Sequence, residues 1–286
     1  MNINFTKMHG LGNDYIYVYC PNNEPSAPEE ISKIISKRHF SIGGDGLVLI
    51  CGSKVADAKM RMFNADGSEG GMCGNAIRCV GKYLYDKNII KKDKISIETL
   101  SGIKYLTLFL GEDSLVEYVS VEMGKANFSP EAVPTSFQNE AIDVPINVNG
   151  VEYNVTALST GSAHCVVFQK DVFNLDITEI GPAFENHKAF PNRVNTEFIE
   201  CIDRRNINMR VWEKGSGETL ACGTGACASV AASVRLGKCD SDVPVTVHLR
   251  GGDLEITCFA DYSLMMKGKA ETVFDGVIDI PSDLWG

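Results

Sequence analysis

Two cysteines of this 286-residue chain sit in matching surroundings. Cys73 follows the glycine-rich stretch Ala65 to Gly71, and Cys222 follows Lys214 to Glu218; each is followed by a glycine, Gly74 or Gly223. Directly after each Cys-Gly pair the sequence turns helical, over Asn75 to Tyr85 and over the alanine-rich run Thr224 to Leu236. Each cysteine is therefore expected at a loop-to-helix junction. A helix N-terminus presents backbone N–H groups with no intrahelical partner and the positive end of the macrodipole. Such a place favours a thiolate and lowers its pKa. The same N–H groups, supplied here by Gly74, Asn75, Gly223 and Thr224, can hold a carboxylate, with glycine allowing close approach.

The elements around the two cysteines also recur. Met60-Arg-Met-Phe-Asn64 matches Met209-Arg-Val-Trp-Glu213 at an offset of 149, and the same offset pairs Glu69 with Glu218, Gly12 with Gly161, Leu100 with Leu249 and Gly102 with Gly251. Gly124-Lys-Ala126 recurs as Gly268-Lys-Ala270 at an offset of 144, one small length change away. Two copies of a long unit do not make a solenoid. They predict two similar domains about a pseudo-two-fold axis, 1–124 with 270–286 and 125–269, with equivalent residues on opposite walls of one cleft. A thiol and a thiolate so placed suit one kind of chemistry: a proton is removed from one face of a carbon acid and another is returned to the opposite face. Charge developing on a neighbouring carboxylate would be stabilised by the helix ends. The two sulfurs would exchange roles with direction.

Short β-rich runs at Asp14 to Cys20 and Leu47 to Cys51, and alternating runs at Lys94 to Leu100 and Val243 to Leu249, predict strands. Pro28 to Arg38 has helical spacing and predicts a surface helix. The fold class is thus α/β, with mixed sheets. Hydrophobic residues make up 44% and charged residues 22%, as in ordinary globular proteins. No apolar run approaches the roughly 18 residues of a membrane helix, and no leader is visible at the N-terminus, so cytoplasm is the expected compartment. A net charge of -10 argues against a nucleic-acid partner.

Ten cysteines in such a chain do not read as a disulfide framework. Cys20, Cys51, Cys165, Cys201, Cys239 and Cys258 read as small buried apolar residues, and Cys79 and Cys227 as core-facing helix positions. The competing reading is a structural zinc site built from Cys73, Cys79, Cys222 and Cys227, although the spacings are looser than a zinc knuckle. No Cys-x-x-Cys redox motif is present.

Met8-His-Gly-Leu-Gly-Asn-Asp14, Phe63-Asn-Ala-Asp-Gly-Ser-Glu69, Cys73-Gly-Asn-Ala-Ile-Arg-Cys79, Asn192-Arg-Val-Asn195 and Trp212 through Ala228 resemble the diaminopimelate epimerase family over nearly the whole chain. The resemblance implies two pseudo-symmetric domains, each a mixed sheet wrapped around a central helix. It implies an isomerase, free of pyridoxal phosphate and metal, that interconverts LL- and meso-2,6-diaminopimelate for lysine and peptidoglycan synthesis. No cofactor is expected; the expected partners are a small amino-acid substrate and, in a homodimer, a second copy of the chain. By motif, Cys73 and Cys222 are the acid/base pair, with His164 assisting Cys73 and Glu213 assisting Cys222. Asn13, Asn64, Ser162, Asn195, Glu213 and Lys214 are implied to recognise substrate.

This chain departs from the family pattern at three places. Lys214 stands where arginine is usual, a point charge in place of a two-pronged fork for a distal carboxylate. Gly161-Ser-Ala-His164 replaces Gly-Asn-Pro-His, and Gly46 stands where some members carry glutamine. A racemase of another amino acid, such as histidine, using the same two thiols is therefore the alternative within the same chemistry.

Overall fold

The computed structural model describes residues 1–286, which gather into two compact units: Met1–Val121 with Gly268–Gly286, and Glu122–Lys267. In the first unit, β1 (Asn2–Gly10) and β2 (Asn13–Cys20) form an antiparallel hairpin. Its turn uses the left-handed backbone of Leu11 and Gly12. After α1 (Pro28–Ile35), β3 (Gly46–Cys51) lies parallel to β2, with Tyr15 opposite Gly46. β4 (Ala58–Asn64) returns antiparallel to β3, and the short β5 (Glu69–Gly70) folds back on β4. Then comes α2 (Gly74–Asp86), followed by β6 (Lys94–Thr99) parallel to β4 and β7 (Gly102–Leu110) antiparallel to β6. β8 (Val116–Lys125) continues antiparallel to β7, and the C-terminal strand Glu271–Asp279 pairs with β1.

The second unit starts with the hairpin β9 (Val144–Val148) and β10 (Val151–Ser159), and from β10 onward it repeats that scheme. β11 (Ala163–Phe168) is antiparallel to β10; α3 (Ile177–Glu185) follows; β12 (Asn195–Asp203) is parallel to β11, with His164 opposite Asn195. β13 (Asn206–Glu213) is antiparallel to β12 and β14 (Gly217–Thr219) to β13. α4 (Gly223–Arg235), β15 (Pro244–Leu249), parallel to β13, and β16 (Gly252–Cys258), antiparallel to β15, complete the copy before β17 (Ser263–Lys269). The offset of 149 seen in the sequence carries Tyr15 opposite Gly46 onto His164 opposite Asn195, so the repeat extends to strand register.

Each unit wraps its sheet around one helix. α2 buries every residue from Gly74 to Gly81, and α4 every residue from Gly225 to Ser233. α2 packs on β1, β2 and β7, where Gly81 lets the helix approach: a Cβ there would lie 3.0 Å from Leu106 and 3.1 Å from Leu108. α1 is shorter than its periodicity predicts. The amides of Gly43 and Gly44 take the carbonyls of Ile35 and Ser36, so the chain turns back before Arg38. That early stop places the Arg38 guanidinium on Asp14 and Asp45.

No helix is long and apolar enough to cross a membrane. The cysteines form no disulfide. Cys20, Cys51, Cys165, Cys239 and Cys258 are buried, as are Cys79 and Cys227. Burial pushes the Cys79 thiol up to about 11. Cys201 differs from expectation: it is only half-buried, 3.7 Å from Ser233 Oγ, and a hydrogen bond with Cys239 brings its pKa down to about 7. No group of three or more His, Cys, Asp or Glu side chains is gathered in a way that could hold a metal ion.

Candidate active site

Both cysteines are helix N-caps. Cys73 (φ -125°, ψ 124°) precedes α2 and Cys222 (φ -121°, ψ 110°) precedes α4, and their carbonyls accept the first intrahelical bonds, from Ile77 and Ala226. The N–H groups of Gly74 and Asn75, and of Gly223 and Thr224, lie in first turns that offer no helical acceptor. The Asn75 side chain has a structural task, accepting from the fully buried Arg78 at 3.0 Å; Arg78 also reaches the Gly74 carbonyl at 3.1 Å.

The sulfurs differ in their partners. Cys73 Sγ donates to Asn13 Oδ1 at 3.4 Å. Cys222 Sγ caps its own helix, accepting from the Gly225 N–H at 3.4 Å, and lies 3.5 Å from Thr224 Oγ1. The expected lowering of the thiol pKa fails at Cys222. Burial and the neighbouring carboxylates of Glu213 and Glu197 push it well up, outweighing the Thr224 and Gly225 hydrogen bonds. The field of a helix end, worth roughly 1 kcal/mol in ordinary settings, is too small to prevail against desolvation and two charges. Together these effects favour the protonated thiol at Cys222.

Glu213 ends β13 within hydrogen-bonding reach of Cys222, and it accepts from Thr219 Oγ1 at 2.5 Å. Burial raises the pKa of Glu213, with Glu197 adding to the effect. Its repeat partner Asn64, at the end of β4, donates to Ser68 Oγ at 2.9 Å, so equivalent strand ends carry a carboxyl in one unit and an amide in the other.

His164 is fully buried. Nε2 lies 2.9 Å from Ser162 Oγ and Nδ1 lies 2.7 Å from Glu197 Oε1. Glu197 is a member of this constellation that sequence reasoning passed over. It lies on β12, facing the N-terminus of α4, and its Oε2 is buried without a hydrogen-bond partner. A Cβ on Gly225 would lie only 2.7 Å from Glu197 Oε1, so the first turn of α4 needs glycine to pass the carboxylate. Glu200 and Asp203 follow on the same strand, so its charge alone did not single Glu197 out.

Asn195 joins two segments: its Nδ2 donates to the Ala163 carbonyl at 3.2 Å and its Oδ1 accepts from the Lys214 N–H at 2.8 Å. The Lys214 ammonium is 3.4 Å from the Asn192 carbonyl. The turn carrying Lys214 is held by Glu185, which accepts from Gly215 N and from Trp212 Nε1. At Gly46 a Cβ would fall 2.0 Å from the Phe63 carbonyl oxygen, so this backbone excludes the glutamine found there in some family members.

The doubled unit defines a fold class that solved structures share. Solved structures with this fold include a phenazine biosynthesis protein of the PhzF family from Bacillus anthracis, with TM-score 0.69, 19% identity, and coverage of 98% of this chain and 100% of that one. A hydroxyproline epimerase from Agrobacterium vitis, with bound trans-4-hydroxy-L-proline, matches with TM-score 0.68, 15% identity, and coverage of 100% of this chain and 97% of that one. The model of the diaminopimelate epimerase family matches residues 5–129 and 156–273. This chain belongs to the diaminopimelate epimerase family. A relative of that name from Acetivibrio thermocellus is 50% identical over 278 residues, covering 96% of this chain and 98% of the relative. Another, from Methanococcus maripaludis, is 51% identical over 278 residues, covering 96% and 99%.

Proposed function

We propose that this chain is an isomerase that interconverts LL- and meso-2,6-diaminopimelate by proton transfer at an α-carbon, with Cys73 and Cys222 as the two acid/base groups. The observation that carries the reading is the pair of cysteine N-caps on equivalent buried helices, in a chain that belongs to this family. In one direction Cys222 is the donor, as its protonated state in the substrate-free protein suits. Cys73, as the thiolate of the pair, takes the α-proton and becomes a thiol as Cys222 gives up its proton. In the other direction the roles exchange.

The α-proton of an amino acid is weakly acidic, so the reacting carboxylate needs fixed donors as charge develops on it. The first-turn N–H groups of Gly74, Asn75, Gly223 and Thr224 are assigned that task. Glu213 assists Cys222 through their hydrogen bond, and His164 is the assisting group assigned to Cys73. Asn13, Asn64, Ser162, Asn195, Glu213 and Lys214 are assigned to recognition of the amino-acid substrate. The chemistry calls on side chains and helix ends alone, with no cofactor or metal, in the cytoplasm.

Incubation with LL-diaminopimelate in D2O tests the reading: one α-carbon should acquire deuterium as the meso isomer forms. Absence of exchange overturns it. Ser162 and Lys214, which replace the usual family residues, favour one second reading, a sister specificity with the same thiols. A panel of amino acids, including histidine, scored for α-deuteration decides between the two.

A further inference from the structure

We propose that Asp45 is a positioning residue for Cys73: it fixes the Asn13 side chain so that the amide oxygen, and not the amide nitrogen, faces the sulfur. The functional weight of this arrangement rests on the acid/base role proposed above for Cys73.

The two ends of an asparagine amide have nearly the same shape, so only hydrogen-bond chemistry decides which way it points. An ionised carboxylate can only accept. Asp45 Oδ2 is 2.7 Å from Asn13 Nδ2, and that contact leaves Asn13 Oδ1 as the end that accepts from Cys73 Sγ at 3.4 Å. Asp45 itself has little freedom. Its Oδ2 also accepts from Asp14 N at 3.0 Å, and its Oδ1 accepts from Arg38 at 2.8 Å. Its backbone is pinned on both sides, by Asp45 N to the Asp14 carbonyl at 2.7 Å and by Ala65 N to the Asp45 carbonyl at 2.9 Å. Arg38 is held in turn by both oxygens of Asp14, at 2.6 and 3.1 Å, and Asp14 by Lys7 at 2.6 Å. Gly44 keeps this loop tight, since a Cβ there would lie 2.6 Å from Lys7 Nζ.

An amide oxygen opposite a sulfur stabilises the thiol, whereas an amide NH2 stabilises the thiolate. Asp45 therefore biases Cys73 toward its protonated state through Asn13. Tyr17 and Cys79, both buried, also act electrostatically with Cys73. The repeat does not reproduce the device: at the same offset Ser162 replaces Asn13 and Val194 replaces Asp45. Cys222 is pushed toward its protonated state by other means, burial first and then the carboxylates of Glu213 and Glu197.

The test uses the full-length, substrate-free protein and follows iodoacetamide alkylation of Cys73 by peptide mass spectrometry from pH 6 to 10. Asp45→Asn ends the acceptor-only constraint and lets the amide turn; Cys73 should then alkylate several-fold faster at pH 7. In the exchange variant Asn13→Asp/Asp45→Asn, the new carboxylate at 13 accepts from both neighbours, and alkylation should fall back to the wild-type rate or below. A residue that merely braces the loop would move both variants in the same direction, and that result overturns the proposal. A wild-type rate in folded Asp45→Asn overturns it too. Should Asp45→Asn fail to fold, Asp45→Ser relieves the same constraint and is read in the same way. Because alkylation needs no turnover, failure of α-deuteration would remove the acid/base reading while leaving the orientation of Asn13 separately decided.

Discussion

His164 Nδ1 lies 2.7 Å from Glu197 Oε1, and neither side chain is exposed to solvent. The carboxylate accepts, so the ring proton sits on Nδ1 and Nε2 turns toward Ser162 Oγ at 2.9 Å. The same carboxylate helps to keep the Cys222 proton in place. One buried carboxylate thus meets a histidine ring nitrogen and adds, after burial and Glu213, to what favours the Cys222 thiol.

Glu197→Gln removes that charge while nearly preserving its volume. kcat should fall by about a hundredfold, within the range of a disturbed general acid/base step. At the same time Cys222 should alkylate faster at pH 8, because a negative neighbour that raises its pKa is gone. Steady-state kinetics and site-resolved alkylation check the two effects, and their opposite signs separate lost electrostatics from unfolding.

Gly225 makes room for that carboxylate. In Gly225→Ala the new Cβ, 2.7 Å from Glu197 Oε1 and 3.0 Å from Met209 Cε, must displace one or both. Overpacking of this kind costs roughly 1–3 kcal/mol, read as a lower denaturant midpoint. Since the carboxylate withdraws from its histidine, kcat should fall as well. Glu197→Asp, shorter by one methylene, should recover part of the stability when combined with Gly225→Ala. A double variant no more stable than Gly225→Ala would show that the crowding is relieved elsewhere.

The Cys-Gly helix starts were legible in the sequence because an N-cap and a glycine are local signals, and the repeat showed that they come as a pair. The register of Tyr15 with Gly46 and of His164 with Asn195 follows from the same offset. Asp45 and Glu197 were not legible as site residues. Each acts through a partner distant in sequence, Asn13 at 32 residues and His164 at 33. Neither has an equivalent in the other copy, where Val194 and Val48 stand, so the repeat could not reveal them. The raised pKa of Cys222 was hidden for the same reason: a helix start is local, whereas burial and the carboxylates of β12 and β13 belong to the tertiary structure.

Replacing either cysteine removes one of the two proposed proton carriers. Cys73→Ser and Cys222→Ser should each lower the rate of isomerisation by about 10² to 10⁴, since a hydroxyl is a far weaker acid than a thiol. Neither change should unfold the protein, because serine is a good N-cap. A variant that keeps more than a tenth of wild-type kcat, with α-deuteration intact, would remove that cysteine from the mechanism.

Glu213 gives a prediction for stability against pH. Burial raises its folded pKa above the ordinary 4.5, despite hydrogen bonds from Thr219 and Cys222. A carboxyl whose folded pKa lies above its unfolded value holds its proton more tightly in the native state. Its ionisation therefore costs stability as pH rises from the unfolded pKa through the folded one, and the full penalty remains at higher pH. Glu213→Gln cannot ionise and keeps a group able to meet Thr219 Oγ1. Its Tm should exceed that of the wild type at pH 8, and the gain should disappear at pH ~3, well below the unfolded value, where Glu213 is protonated in both states. Activity should fall nonetheless, since the carboxylate beside Cys222 is lost, so the variant would exchange function for stability. Thermal melts at the two pH values decide it: a gain of equal size at both would show that packing, and not the buried charge, sets the difference.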